Sequence, residues 1–209
     1  MKKVLLLGDS IRRGYDAAVK KTLEGTAVVG YPEENCRFAA YLFRALTDYR
    51  AIFANEPVDV VHWNAGLWDC LRLYGEDPQT PIEHYQYYIE RICIRIQKLF
   101  PEAKVIFATS TRVQSEKMSP NFKRYNEEIE AYNAAAVEIV KKYGFMVNDL
   151  YAVSAALPEE AHSDPVHYYT PMGTESFANP VLRCIAQALE LEQIPTYQEA
   201  LYTDAPVGI

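Results

Sequence analysis

No two cysteines of this chain stand close enough in sequence to form a CxxC pair. The four present, Cys36, Cys70, Cys93 and Cys184, are widely separated. That spacing supports neither a disulfide framework nor a zinc site, and the four read as ordinary thiols in or near a core. Positive charge is also scarce: 21 Lys and Arg face 28 Asp and Glu, for a net charge of −7. Nucleic-acid binding needs clustered cations for the phosphates and anionic bilayers attract basic patches, so neither partner is expected. No apolar run approaches the roughly 20 residues that span a bilayer. The start, Met1-Lys2-Lys3-Val4-Leu5-Leu6-Leu7, places two lysines before an apolar stretch, but that stretch ends after four residues, too short for the core of a secretion signal. A cytoplasmic location is the expectation. No internal repeat, low-complexity tract, inter-domain linker, phosphate-binding loop or metal-ligand cluster is visible, so no cofactor and no metal are implied.

What is present suits one domain over residues 1–209. The chain is 49% hydrophobic and 23% charged, enough for a substantial core. Strand-like segments lie at Lys3–Leu7, Ala27–Gly30, Val58–Trp63, Lys104–Thr109 and Phe145–Val147. Most are apolar runs without alternation, as in a parallel sheet covered on both faces. Helical patterns fall between them. One follows Ser10 through Val19, and a second begins near Asn35, whose side chain suits an N-cap. A third runs from about Pro81 to Phe100 and stops at Pro101. A fourth runs from about Ser119 to Tyr143 and ends at Gly144, and a fifth from about Pro171 to Leu191. The alternation predicts an α/β fold, a three-layer α/β/α sandwich with a mostly parallel five-stranded sheet in flavodoxin-like order. A short tail from about residue 195, with Tyr197, Leu201 and Tyr202, packs either across the domain or onto a second subunit, which leaves a homo-oligomer open.

Chemistry concentrates at three strand ends. Val4 to Leu7 runs straight into Gly8-Asp9-Ser10, and ligands of open α/β sheets bind outside the carboxyl ends of the strands. A serine there, after a glycine that permits a tight turn, is placed to attack a substrate. Near the other end of the sequence lies His162-Ser163-Asp164-Pro165-Val166-His167. A carboxylate three residues before a histidine can reach Nδ1–H while Nε2 faces away, which is what a base for a serine requires. Between them, Val60-Val61-His62-Trp63-Asn64-Ala65-Gly66-Leu67-Trp68-Asp69 closes the central strand. Gly66 frees backbone N–H groups, Asn64 carries a side-chain amide, and the Asn35 N–H after the second strand is another donor for an oxyanion. Asp9 reads as a turn residue that bonds local N–H groups. His62 reads as a core histidine, and His162 is the competitor of His167. Trp63 is expected in the core and Trp68 at the border of the site, with Tyr168 and Tyr169 near it. Arg12 and Arg13 are either solvated charges or contacts for an anionic or polyhydroxy substrate.

Gly8-Asp9-Ser10 together with Asp164-Pro165-Val166-His167 at the opposite end resembles the SGNH (GDSL-type) hydrolases. Tyr132-Asn133 and Val147-Asn148-Asp149-Leu150 add to the likeness, which covers most of the chain. The resemblance implies Ser10 as nucleophile, His167 as base and acid, and Asp164 as its orienter. It also implies three oxyanion donors: the Ser10 N–H, a glycine N–H after the second strand, and an asparagine side chain after the third. The glycine falls on Asn35. The family's Gly-x-Asn-Asp stands here as Gly66-Leu67-Trp68-Asp69, with Trp68 in the asparagine's place, so the missing amide comes from Asn64 or Asn35. The implied activity is hydrolysis of small acyl esters, with acetylated carbohydrate as the preferred small-molecule or oligosaccharide substrate. A lipid-directed lysophospholipase or thioesterase, and an impaired carbohydrate-binding protein, are the rival readings.

Overall fold

Val4, Leu5, Leu6 and Leu7 are completely buried, and a segment apolar on both faces belongs in the interior of a sheet. In the computed structural model, which describes residues 1–199, these four form the last four residues of β1 (Lys2–Leu7). The chain continues through α1 (Ser10–Arg13), α2 (Asp16–Thr22), β2 (Ala27–Gly30), α3 (Ala39–Ala45), β3 (Val60–Trp63), β4 (Arg72–Leu73) and α4 (Ile82–Leu99). It then forms β5 (Lys104–Ala108), β6 (Phe122–Lys123), α5 (Asn126–Lys142), β7 (Met146–Asn148), α6 (Leu150–Ala155) and α7 (Pro171–Ala188).

The main sheet has five strands in the order β2-β1-β3-β5-β7, all parallel. This is the flavodoxin-like order. The crossover from β1 to β2 runs one way along the sheet and all later ones the other. Right-handed connections therefore put α2 on one face and α3, α4 and α5 on the opposite face. The contacts agree, since α2 packs on α7, whereas α3 packs on α4 and α4 on α5. One continuous core links the layers, from Val4 to Tyr197.

Several local expectations are corrected. The helix after Ser10 is two helices, broken at Gly14 and Tyr15. The helix expected to start at Asn35 starts at Ala39, and Asn35 does not cap it. Its Oδ1 accepts the Arg37 N–H at 2.7 Å, and Arg37 adopts φ 52°, incompatible with a helix. The donor at the start of α3 is met instead by the Asp69 carboxylate, 3.1 Å from the Ala39 nitrogen through each oxygen. The fourth helix begins at Asn126 rather than Ser119, because residues 122–123 pair antiparallel with β4. Helix α6 was not foreseen; Asp149 caps it by accepting the Ala152 N–H at 3.1 Å. The described part of the tail lies on its own domain. Tyr197 exchanges backbone hydrogen bonds with the Asn179 side chain at 2.8 and 3.1 Å, and the Glu199 N–H donates to Glu175. Leu201 and Tyr202 lie outside the described residues. Among the described residues no helix is long and apolar enough to cross a membrane.

Candidate active site

Gly8 lies where β1 leaves the sheet, and no other residue fits there. A Cβ on it would come within 1.8 Å of Asn64 Oδ1 and 2.9 Å of Arg12 Cβ. The turn is held on both sides: the Asn64 N–H donates to Leu7 O at 3.2 Å, and the Cys36 N–H to Gly8 O at 3.0 Å. The first bond fixes the end of β3 and the second fixes the Asn35 loop against the same turn. Asp9 then caps α1, its Oδ1 accepting the Ile11 N–H at 2.9 Å. Full burial pushes the Asp9 carboxyl upward, and the Asn64 amide and the Ile11 N–H pull it partly back. Asp9 is thus a turn residue, and Ser10 follows it at the first position of α1.

The loop before α7 brings the other two residues to Ser10. His167 Nε2 lies 2.8 Å from Ser10 Oγ, and His167 Nδ1 lies 2.7 Å from Asp164 Oδ2. The loop makes this geometry from its own backbone. Asp164 Oδ1 accepts the Val166 and His167 N–H groups at 2.8 and 2.9 Å, and the Ser163 N–H donates to His167 O at 2.9 Å. The Gln114 N–H donates to Pro165 O at 2.8 Å and ties the loop to the segment that follows β5. Partial burial pushes the Asp164 carboxyl up, but the two N–H donors and the His167 ring outweigh it and hold the group below the usual carboxylate range. An ionised carboxylate only accepts, so Nδ1 carries the imidazole proton and Nε2 is left to accept from the Ser10 hydroxyl.

The turn after β3 forms the opposite wall. Gly66 has φ 146°, and a Cβ there would lie 2.4 Å from Ser110 Oγ. Trp68 is half-buried, whereas Trp63 is wholly buried in the core. Asn64 is 3% exposed, its amide beside the Gly8-Asp9 turn. Asp69 is buried and reaches across to α3. Burial pushes its carboxyl up to about 7, against the bonds from Ala39 and Thr80. Asn35 is half-buried in the loop beside Gly8, its side-chain oxygen engaged with Arg37.

Other candidates sort differently. His62 is buried between Tyr15 and Asn148, and burial lowers its pKa to about 3. His162 lies against the Tyr168 ring at 3.9 Å. Arg12 is neither solvated nor open to a ligand: it is 1% exposed, paired with Asp16, and donates to Glu34 O at 2.7 Å. One neighbour of the site escaped the reading of the sequence, and one contact of another did. Arg124 is 2% exposed and donates from Nε to Leu67 O, beneath the Trp68 turn. Tyr169, expected only near the site, has its hydroxyl on Ser10 O at 2.6 Å. Neither partner is close in sequence, so spacing carries no signal for them.

With this geometry in view, the chain has the SGNH (GDSL-type) hydrolase fold. An acetyl xylan esterase, AlAXEase, superposes with a TM-score of 0.69 at 17% identity, over 88% of this chain and 99% of that one. A lipase/acylhydrolase from Enterococcus faecalis gives 0.68 at 22% identity, over 90% and 96%. Axe2, an acetylxylan esterase from Geobacillus stearothermophilus, gives 0.64 at 15% identity, over 87% and 93%. No protein-family profile and no curated protein sequence matches the chain.

Proposed function

We propose that this protein is a serine esterase that removes small acyl groups, with Ser10 as nucleophile, His167 as general base and acid, and Asp164 as the orienter of His167. The observation that carries this reading is the unbroken line of hydrogen bonds from Asp164 Oδ2 through the imidazole to Ser10 Oγ, 2.7 and 2.8 Å long. Ser10 Oγ attacks the ester carbonyl while Nε2 takes the hydroxyl proton. The tetrahedral intermediate collapses, Nε2 returns that proton to the leaving alcohol, and the acyl group stays on Ser10. Water repeats the sequence, His167 taking its proton, and releases the carboxylic acid and the free serine.

The oxyanion needs donors, and removal of one such donor costs about 2.7–4 kcal/mol of barrier. In this reading the Ser10 N–H and the Asn64 amide supply them, with Gly66 and Asn35 on the flanking turns and Trp68 as a substrate-facing wall. For the substrate, the choice is an acetylated carbohydrate. Two of the structural neighbours are acetyl xylan esterases, and Trp68 provides aromatic surface of the kind on which a sugar ring stacks.

Labelling with a fluorophosphonate, followed by peptide mapping, tests the proposal. The expected adduct sits on Ser10, and Ser10→Ala abolishes both labelling and p-nitrophenyl acetate turnover with little change in Tm. Turnover that survives in Ser10→Ala overturns the assignment. A parallel comparison of acetylated xylo-oligosaccharides with esters of increasing acyl length tests the substrate class, and preference for long acyl chains would reject the carbohydrate reading.

A further inference from the structure

The two hydrogen bonds of His167 leave one freedom unrestrained. They are made at the two ring nitrogens, Nδ1 to Asp164 and Nε2 to Ser10, and such bonds are strongest when they lie in the ring plane. They set the direction of the ring axis but not the tilt of the plane about that axis, and tilt moves the Nε2 lone pair off the Ser10 hydroxyl. A second loose point is the nucleophile's own backbone. Helix α1 is a single turn, and the Gly14 N–H, the regular partner of Ser10 O, bonds Ile11 O instead at 3.0 Å.

One side chain meets both needs. The Tyr169 ring stacks on the His167 ring, with centroids 4.8 Å apart and planes 21° from parallel. Its hydroxyl donates to Ser10 O at 2.6 Å. The ring is itself held, since its edge lies against Gly14, where any Cβ would come within 2.9 Å of Cδ1 and Cε1. The Tyr169 N–H donates to Ser163 Oγ at 3.1 Å, which ties the residue into the loop that carries Asp164. Burial pushes the Tyr169 phenol up to about 12, so it remains a donor throughout the neutral range.

We propose that Tyr169 is a positioning residue that fixes the tilt of the His167 imidazole and the backbone of Ser10 in one rigid unit. The proposal rests on the reading of Ser10 and His167 as nucleophile and base. It assigns two separable tasks to one residue: the ring restrains the base, and the hydroxyl restrains the nucleophile. Gly14 is small because the ring must lie where a side chain would be.

The test uses Tyr169→Phe, Tyr169→Leu and Gly14→Ala in the full chain. Tyr169→Phe keeps the stack and loses the hydroxyl bond; kcat for p-nitrophenyl acetate is expected to fall about threefold, the scale of one neutral hydrogen bond. Tyr169→Leu removes both restraints, and kcat is expected to fall about 30-fold with KM within twofold, the scale of a misplaced catalytic group. Gly14→Ala pushes the ring aside without removing it and should lower kcat about tenfold on the same scale. Added to Tyr169→Leu it should cost nothing more, because the two act through one ring. The His167 ring protons, read by NMR, should be shifted upfield by the stacked ring in wild type and in Tyr169→Phe, and released in Tyr169→Leu.

Wild-type labelling of Ser10 with equal kcat and unchanged His167 resonances in Tyr169→Leu overturns the positioning role alone. Absence of any Ser10 label in wild type overturns the esterase reading, and the role of Tyr169 falls with it. Additive losses in the Gly14→Ala/Tyr169→Leu double variant also count against it.

Discussion

Asp164→Asn is the sharpest probe of the hydrogen-bond line, because it changes one atom and almost nothing else. The Asp164 carboxylate divides its work between two oxygens. Oδ1 accepts two backbone N–H groups at 2.8 and 2.9 Å, and Oδ2 faces His167 Nδ1 at 2.7 Å. An asparagine can keep its oxygen on the two N–H groups, so the loop retains its shape. Its NH2 then faces Nδ1 and donates, which forces the imidazole proton onto Nε2. Nε2 now donates toward Ser10 and cannot take the hydroxyl proton. In the worked serine-protease triad this tautomer reversal lowers kcat about 10⁴-fold. Here the Asp164 side chain is 45% exposed, so water competes for Nδ1 and weakens the preference. We expect a fall of about 10³-fold in kcat, or ~4 kcal/mol of barrier, with KM near wild type. Steady-state hydrolysis of p-nitrophenyl acetate measures the loss, and thermal melting checks that the loop survives. An Asp164→Asn enzyme with kcat within tenfold of wild type and an unchanged Tm would refute the assignment of Asp164 as orienter.

Two further outcomes concern the turn after β3. Gly66→Ala forces an L side chain to φ 146° and drives its Cβ to 2.4 Å from Ser110 Oγ, so urea unfolding should show a loss of about 2 kcal/mol or more; wild-type stability in this variant would mean the turn relaxes freely. Asp69 titrates near 7 when folded against an ordinary value of 3.8, so the folded state holds its proton more tightly than the unfolded chain. Stability contributed by this group therefore declines as pH rises from about 4 to 7, by on the order of 4 kcal/mol, and is level above that. Asp69→Asn should be increasingly stabilised relative to wild type over that window, and parallel stability curves for the two proteins would contradict the burial of the charge.

The sheet was legible because it rests on local pattern, and the Ser10, Asp164 and His167 set because two local motifs at the sheet edge match a family pattern. Val4 to Leu7 can only be an interior strand, and a three-residue spacing lets Asp164 close a turn onto the ring of His167. What could not be read depends on partners far along the chain. Asn35 has the chemistry of a helix cap, yet the donor at Ala39 is met by Asp69, 30 residues away. The hydroxyl of Tyr169 finds Ser10 across 159 residues. Arg12, two residues past Ser10, reads as a solvated charge or a substrate contact until Asp16 and the Glu34 carbonyl enclose it. Strands β4 and β6 are two residues each, below any useful period.

The hydrogen bond between Ser10 and His167 joins residues 157 positions apart. Ser10 stands at the start of α1, just after the first strand, and His167 in the loop before α7. No stretch of the chain shorter than residues 10–167 contains both ends of this bond. Under the proposed triad, turnover can begin only after His167 has been synthesised and its loop has closed onto the turn after β1. Under that assignment, ester hydrolysis reports that the loop before α7 has docked on the start of α1, and a chain that lacks residues 164–167 keeps Ser10 but has no base to activate it.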